Sequence, residues 1–231
     1  MFVPLYDGNP LRIIRFQYVT GAIIALNVAV FLFTDLALPT DAARAMAFSL
    51  GVIPSVLTHH ADLAPELEWI PAPLTLVTYM FLHAGWMHLI GNMLFLWVFG
   101  DNIEDAFGHF RFLLFFLFCG IVAALAHTWM VPGSNSPLVG ASGAVAGVLA
   151  AYLVLYPHRR VWVLLFFRLP LRVPAWIALV SWILFQFLSM FVTFGEDGGE
   201  SIALAAHVAG FLTGLIIALL ARWRSPILAK G

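Results

Sequence analysis

Residues 139–156 read Val139-Gly140-Ala141-Ser142-Gly143-Ala144-Val145-Ala146-Gly147-Val148-Leu149-Ala150-Ala151-Tyr152-Leu153-Val154-Leu155-Tyr156. No charge interrupts them, and the first half is built from glycine, alanine, valine and one serine. The hydrocarbon core of a bilayer is crossed by about 20 apolar residues in helical form. The stretch therefore reads as a short spanning helix whose first turns carry almost no side-chain bulk. Small residues four apart, here Gly143 and Gly147, let one membrane helix approach another closely.

Five further apolar runs flank it, at residues 18–34, 74–100, 110–131, 173–194 and 201–222, with charge only at their margins. The 231-residue chain is 62% apolar and 10% charged, with a mean hydropathy of +0.97. Ordinary soluble domains are roughly 45–50% apolar and about 25% charged. This composition excludes a disordered chain, a nucleic-acid-binding protein and a soluble enzyme with a polar shell. The expected fold is an all-α polytopic membrane protein of six transmembrane helices, forming one domain over residues 1–231. The first run follows Arg12 and Arg15, as in a signal peptide. The residues after it, Asp35-Leu36-Ala37-Leu38-Pro39, make a poor cleavage site, so it is expected to be a retained helix. The single cysteine, Cys119, lies inside an apolar run, which excludes an intrachain disulfide framework and a thiolate metal site.

Lysine and arginine in short loops orient such a chain. With the N-terminus inside, Arg12, Arg15, Arg111, Arg159, Arg160, Arg168, Arg172, Arg222, Arg224 and Lys230 all fall on the cytoplasmic side, and only Arg44 falls outside. The outer loops carry Asp41, Asp62, Glu66, Glu68, Glu196, Asp197 and Glu200 instead. The chain is expected N-in and C-in, in a bacterial cytoplasmic membrane. Its first outer loop, residues 35–73, contains an apolar part at 42–57 that is too short to span and is expected to lie along the interface. Trp69, Trp129 and Trp223 fall where aromatic belts do.

Polar side chains inside a span are expensive and mark function by default. His88 and Asn92, four apart, project from one face of the second span. Ser142 sits among Gly140, Gly143 and Gly147 in the fourth. His207 precedes Gly210 and Gly214 in the sixth. The pairs Gly143/Gly147 and Gly210/Gly214 predict close packing of these two helices, with a serine on one and an imidazole on the other. Counting from the outer surface, Ser142 lies about 5 Å and His207 about 9 Å along their helices at 1.5 Å per residue, so the depths agree. Imidazole suits the removal of a serine proton at neutral pH. Ser142 opens its helix, where free backbone N–H groups suit a developing oxyanion, and His88 and Asn92 add side-chain donors. No Asp or Glu lies near His207 within a span, which reads as a Ser–His dyad. Packing is the plain alternative for Ser142 taken alone, and a hydrogen-bonded structural role for His207 taken alone.

Of the remaining histidines, His59, His60, His109 and His158 are expected to be solvated, and His127 structural. His83, five residues before His88, falls on another face of a continuous helix. Neither an HExxH zinc signature nor a carboxylate inside the spans is present, so no metal site is expected, and neither an intramembrane metalloprotease nor a two-Asp protease.

These residues resemble the rhomboid family of intramembrane serine proteases. The matching stretches are Leu82-His-Ala-Gly-Trp-Met-His88-Leu-Ile-Gly-Asn92, Gly140-Ala-Ser142-Gly143 and Ala206-His207-Val-Ala-Gly210, the last followed by Gly214. The loop Gly100-Asp-Asn-Ile-Glu104-Asp-Ala-Phe-Gly108 is also similar to the family's segment after its second span. The resemblance implies Ser142 as nucleophile, His207 as general base and then acid, and His88, Asn92 and the Ser142 N–H as oxyanion hole. It implies single-pass membrane proteins as substrates, cut near the outer end of their spanning helix, with the bilayer as medium, no nucleic acid and no cofactor. Access is implied near the fifth span, with the loop around residues 195–200 as a mobile cap.

Two departures stand out. Many members have an aromatic ring four residues after the nucleophile, stacked on the imidazole; here it is Ala146, so another group must orient His207. Many carry a Trp-Arg pair in the first outer loop; Leu74 and Thr75 occupy the matching positions, so that loop must be anchored differently. Two other functions compete. A non-catalytic rhomboid-like protein would bind membrane clients, but such relatives usually lose the serine or histidine. A small transporter would want charged groups or broken, repeated helices in several spans, and neither is visible.

Overall fold

The small-residue helix is the centre of the fold. A computed structural model describes residues 2–166, 168–192 and 199–224. In chain order they form β1 (Phe2–Tyr6), α1 (Tyr18–Leu32), α2 (Thr40–Leu50), α3 (Pro54–Leu57), α4 (Thr75–Thr78), α5 (Trp86–Phe107), α6 (His109–Met130) and α7 (Ser142–Leu155). There follow β2 (Arg160–Leu165), β3 (Leu169–Pro174), α8 (Ala175–Val192) and α9 (Gly199–Arg224). Every residue of α7 from 143 to 152 is buried, enclosed by α5, α6, α8 and α9. Its glycines decide how close those neighbours come. A Cβ on Gly210 or Gly214 of α9 would collide with the carbonyls of Gly143 and Gly147. A Cβ on Gly147 would also lie 2.6 Å from the Cys119 sulfur of α6. Backbone thus meets backbone across α7 and α9, where dispersion contacts rather than water drive association.

Each apolar run contains a helix, but the helices differ in reach. Among the described residues, α1 with its π-helical continuation (Phe33–Ala37), α6 and the 204–223 part of α9 are long and apolar enough to cross a membrane. A fourth candidate is the bent pair 65–81 and 86–107. The 14 residues of α7 give a helix of roughly 21 Å at 1.5 Å per residue, shorter than a bilayer core. Gly140 at φ +117° stops it from starting earlier, since this backbone suits only glycine. Pro157 disfavours helix at Tyr156. The chain is a mostly helical integral membrane protein.

Four expectations need correction. The fold is not all-α: β1, β2 and β3 form an antiparallel sheet in that order. In β2, Val161 and Val163 are buried while Arg160 and Trp162 are exposed, the period-two pattern of a half-buried strand. Pro170 and Pro174 forbid helix in β3, so the fifth helix begins at Ala175 rather than 173. The 100–108 stretch is not a loop, because α5 continues to Phe107 and ends at Gly108, φ +79°. Finally, residues 74–100 are not one helix. α4 and a 3-10 turn (Tyr79–Phe81) are followed by extended Leu82 and an 81° bend before α5.

The end of α5 explains where α1 starts. No side chain of its own caps α1. Glu104, fully buried, accepts from the backbone N–H of Val19 (2.9 Å) and Thr20 (2.7 Å). Asp105 accepts from Arg12, Ile13 and Ile14 just before it. A carboxylate at free N–H groups and a positive helix end is the favourable arrangement. His109, whose side chain is partly exposed as expected, also donates from Nδ1 to Glu104. The 35–73 connection, which lacks the Trp-Arg pair, is tied to the 131–138 turn by the backbone pair Val52–Leu138, by Ser55 N–H on Ser134, and by Thr58 Oγ1 on the Pro132 carbonyl.

Candidate active site

Three helices bring their polar residues to one place. Ser142 is the first residue of α7, so the helix begins at the serine and not a turn before it. Its Oγ lies at hydrogen-bond distance, 2.7 Å, from His207 Nε2. The two side chains are 65 residues apart in sequence and meet because the glycine faces of α7 and α9 let their backbones touch. At this end of α7 the first N–H groups have no intrahelical acceptor. Gly140 N–H is already committed to the Tyr79 carbonyl at 2.9 Å, which fixes the turn leading into Ser142. Tyr79 is anchored in turn by its hydroxyl on the Gly120 carbonyl at 2.7 Å.

His88 stands over that turn. A Cβ on Gly140 would lie 2.5 Å from His88 Cε1 and 2.6 Å from Nε2, so glycine is required there by both φ and space. The Ala84 N–H points at His88 Nδ1 across a long 3.5 Å. An Nδ1 that accepts leaves the proton on Nε2, the nitrogen that faces the Ser142 turn. One helical turn on, Asn92 is nearly buried and its Nδ2 donates to His83 Nε2 at 3.1 Å. His83 also meets His88 edge to face, with ring centroids 5.0 Å apart.

His83 is therefore a site residue that the sequence reading placed elsewhere. On a continuous helix it would face away from His88. The bend at 82–85 folds it back against the first turn of α5. The available signal was Gly85 before Trp86, since glycine inside a helical pattern marks a break as readily as a packing contact. A cavity of about 340 Å³ opens beside His83, between Phe31, Asp35, Ala47, Leu82 and Val139.

As the sequence implies, α7 puts no ring on His207, because the buried Ala146 carries only a methyl. The ring that does lie near His207 is Trp182 of α8, with centroids 6.1 Å apart and planes 33° from parallel. His127 is buried in α6, and His59, His60 and His158 are exposed. Residues 193–198, which hold most of the expected mobile cap with Glu196 and Asp197, lie outside the described residues, as does Lys230.

A serine hydroxyl at hydrogen-bond distance from an imidazole, beside free backbone donors and two further side-chain donors, can give up its proton on attack and have the resulting oxyanion neutralised. Comparison with known proteins places the chain in a family. The family model described as "Rhomboid domain" matches residues 71–224. The chain is 27% identical over 155 residues to "Rhomboid protein 1, mitochondrial" of Saccharomyces cerevisiae, covering 65% of this chain and 42% of that one. It is 32% identical over 167 residues to "Rhomboid-related protein 1" of Caenorhabditis elegans, covering 68% and 44%. To "Rhomboid protease GluP" of Bacillus subtilis it is 42% identical over 78 residues, covering 34% and 15%. Each match spans less than half of the relative's own length.

Proposed function

The chain belongs to the rhomboid family, and from that premise we propose that it is an intramembrane serine endopeptidase. Its substrates are single-pass membrane proteins, hydrolysed within or near their spanning segment. Six helices span the membrane with both termini inside, so the α7 start and His207 face the outer leaflet. The ten-to-one distribution of basic residues supports this orientation. The compartment proposed is a bacterial cytoplasmic membrane.

Ser142 Oγ attacks the scissile carbonyl carbon while His207 Nε2 takes its proton. The oxyanion is held by the Ser142 backbone N–H, His88 Nε2–H and the Asn92 N–H that His83 leaves free. The imidazolium then protonates the leaving amine as the C–N bond breaks, giving an ester on Ser142. Water attacks the ester with His207 again as base, and the serine is regenerated. No cofactor enters the cycle.

The single observation that carries this reading is the 2.7 Å contact between Ser142 Oγ and His207 Nε2 at a helix start. The test is cleavage of a single-pass substrate in liposomes by wild type, Ser142→Ala and His207→Ala, with fragments read by mass spectrometry. A cut in the outer part of the substrate helix, lost in both folded variants, is the expected result. Folded wild type that cuts none of a panel of such substrates, and whose Ser142 is not labelled by a fluorophosphonate, would overturn it in favour of non-catalytic client binding.

A further inference from the structure

We infer that Trp182 is the positioning residue for the His207 imidazole, holding the ring in line with Ser142 from an element that carries neither residue. The inference rests on the reading of His207 as general base.

Among the described residues the imidazole is hydrogen-bonded at one point only. Nε2 is hydrogen-bonded to Ser142 Oγ, while Nδ1 is buried and has no hydrogen-bond partner among the described residues. A ring fixed by a single bond keeps rotational freedom, because the outer torsion of histidine is broad rather than confined to sharp wells. A base that swings loses alignment with the hydroxyl it must deprotonate, and misplacement by about 1 Å can cost a hundredfold in rate. Among the described residues, packing rather than a second hydrogen bond must therefore limit the ring.

On α7 the position one turn after Ser142, on the same face, is Ala146, too small to do so. Ala146 and Ala150 form a small buried cluster with Phe211, and Trp182 packs against it. The indole thus packs where α7 presents only methyl groups. Its ring is 6.1 Å from the imidazole at 33°, within the range of offset aromatic contacts. The indole is itself held from the other side by Phe95 of α5, 6.2 Å away. Phe95, Trp182 and His207 make a row of rings from α5 through α8 to α9. A π-face beside the imidazole also favours the imidazolium that forms when His207 takes the serine proton.

A tryptophan that merely filled space would be replaceable by an aliphatic chain, which sets the test. Full-length wild type, Trp182→Leu, Trp182→Phe and the double variant Trp182→Leu/Ala146→Phe are compared in liposomes. Three readings are taken: kcat and KM for a transmembrane substrate, the rate of fluorophosphonate labelling of Ser142, and the His207 ring resonances in protein with labelled histidine. Trp182→Leu is expected to lower kcat and the labelling rate roughly ten- to hundredfold with little change in KM, and to shift and broaden the His207 signals. Trp182→Phe recovers most of the loss, and so does the double variant, which returns a ring from α7. A folded Trp182→Leu with His207 signals, kcat and labelling rate unchanged overturns the inference. So does a loss that neither aromatic replacement reverses. If wild type cleaves nothing yet the His207 signals respond as described, the positioning role stands and the protease reading falls.

Discussion

His88 and Asn92 can act on a substrate oxygen only if their donors are aimed before the substrate arrives, because a hydrogen bond formed by reorganisation returns little. The geometry supplies that aim through Gly140 under His88 and through His83 on Asn92. His88→Ala and Asn92→Ala are each expected to lower kcat by about a hundredfold to a thousandfold, the usual cost of one oxyanion donor, with fluorophosphonate labelling of Ser142 reporting the same order. His83→Ala is expected to lower kcat less than Asn92→Ala, and Asn92→Ala/His83→Ala no further than Asn92→Ala alone, because His83 acts through the amide. A double variant much slower than Asn92→Ala would mean that His83 has a separate task. Ser142, His207, His88 and Asn92 were all legible as polar residues out of place in apolar runs. His83 was not, because its position depends on a bend that its own side chain does not encode.

The packing of α7 on α9 was legible for a simple reason. Small-residue pairs four apart on two helices leave little else for their backbones to do than approach. Gly210→Val would drive a branched side chain into the Gly143 carbonyl, and overpacking costs about 1–3 kcal/mol even where some relaxation is possible. The expected outcome is a lower unfolding midpoint in detergent and loss of the Ser142–His207 contact, hence of labelling. Gly133→Ala, where a Cβ meets nothing within 4 Å, is the matched control and should behave as wild type. Glu104 sits at the opposite kind of junction, between the end of α5 and the start of α1. Glu104→Ala leaves the Val19 and Thr20 N–H groups without their charged acceptor and is expected to destabilise by about 2–3 kcal/mol, with Glu104→Gln milder because it keeps an oxygen. Equal midpoints for Glu104→Ala and wild type would show that water replaces the carboxylate at no cost. The sheet escaped the sequence reading at this scale, since residues 160–174 look like the approach to a span until the alternation in β2 is counted.

Across the whole molecule, orientation is the proposal most open to a direct test. In a Cys119→Ala background, a cysteine at Asp41 should react with a membrane-impermeant maleimide added outside intact cells, and one at Arg172 only after the membrane is opened; both residues are exposed. The reverse pattern would turn the site to the other face and with it the end of the substrate helix that is cut. What the sequence determined by itself was whatever follows from composition and local pattern. These are membrane residence, which 62% apolar content imposes, the positions of the apolar runs, the pairing of two glycine-faced helices, and the serine and histidine that those helices carry. Only the tertiary structure decided where chain-distant groups come to rest. It closed an antiparallel sheet between residues 2–6 and 160–174, placed the α5 carboxylates at the start of α1, folded His83 onto Asn92, and set Trp182 beside His207. Each depends on contacts between segments tens of residues apart, whose partners no local periodicity specifies.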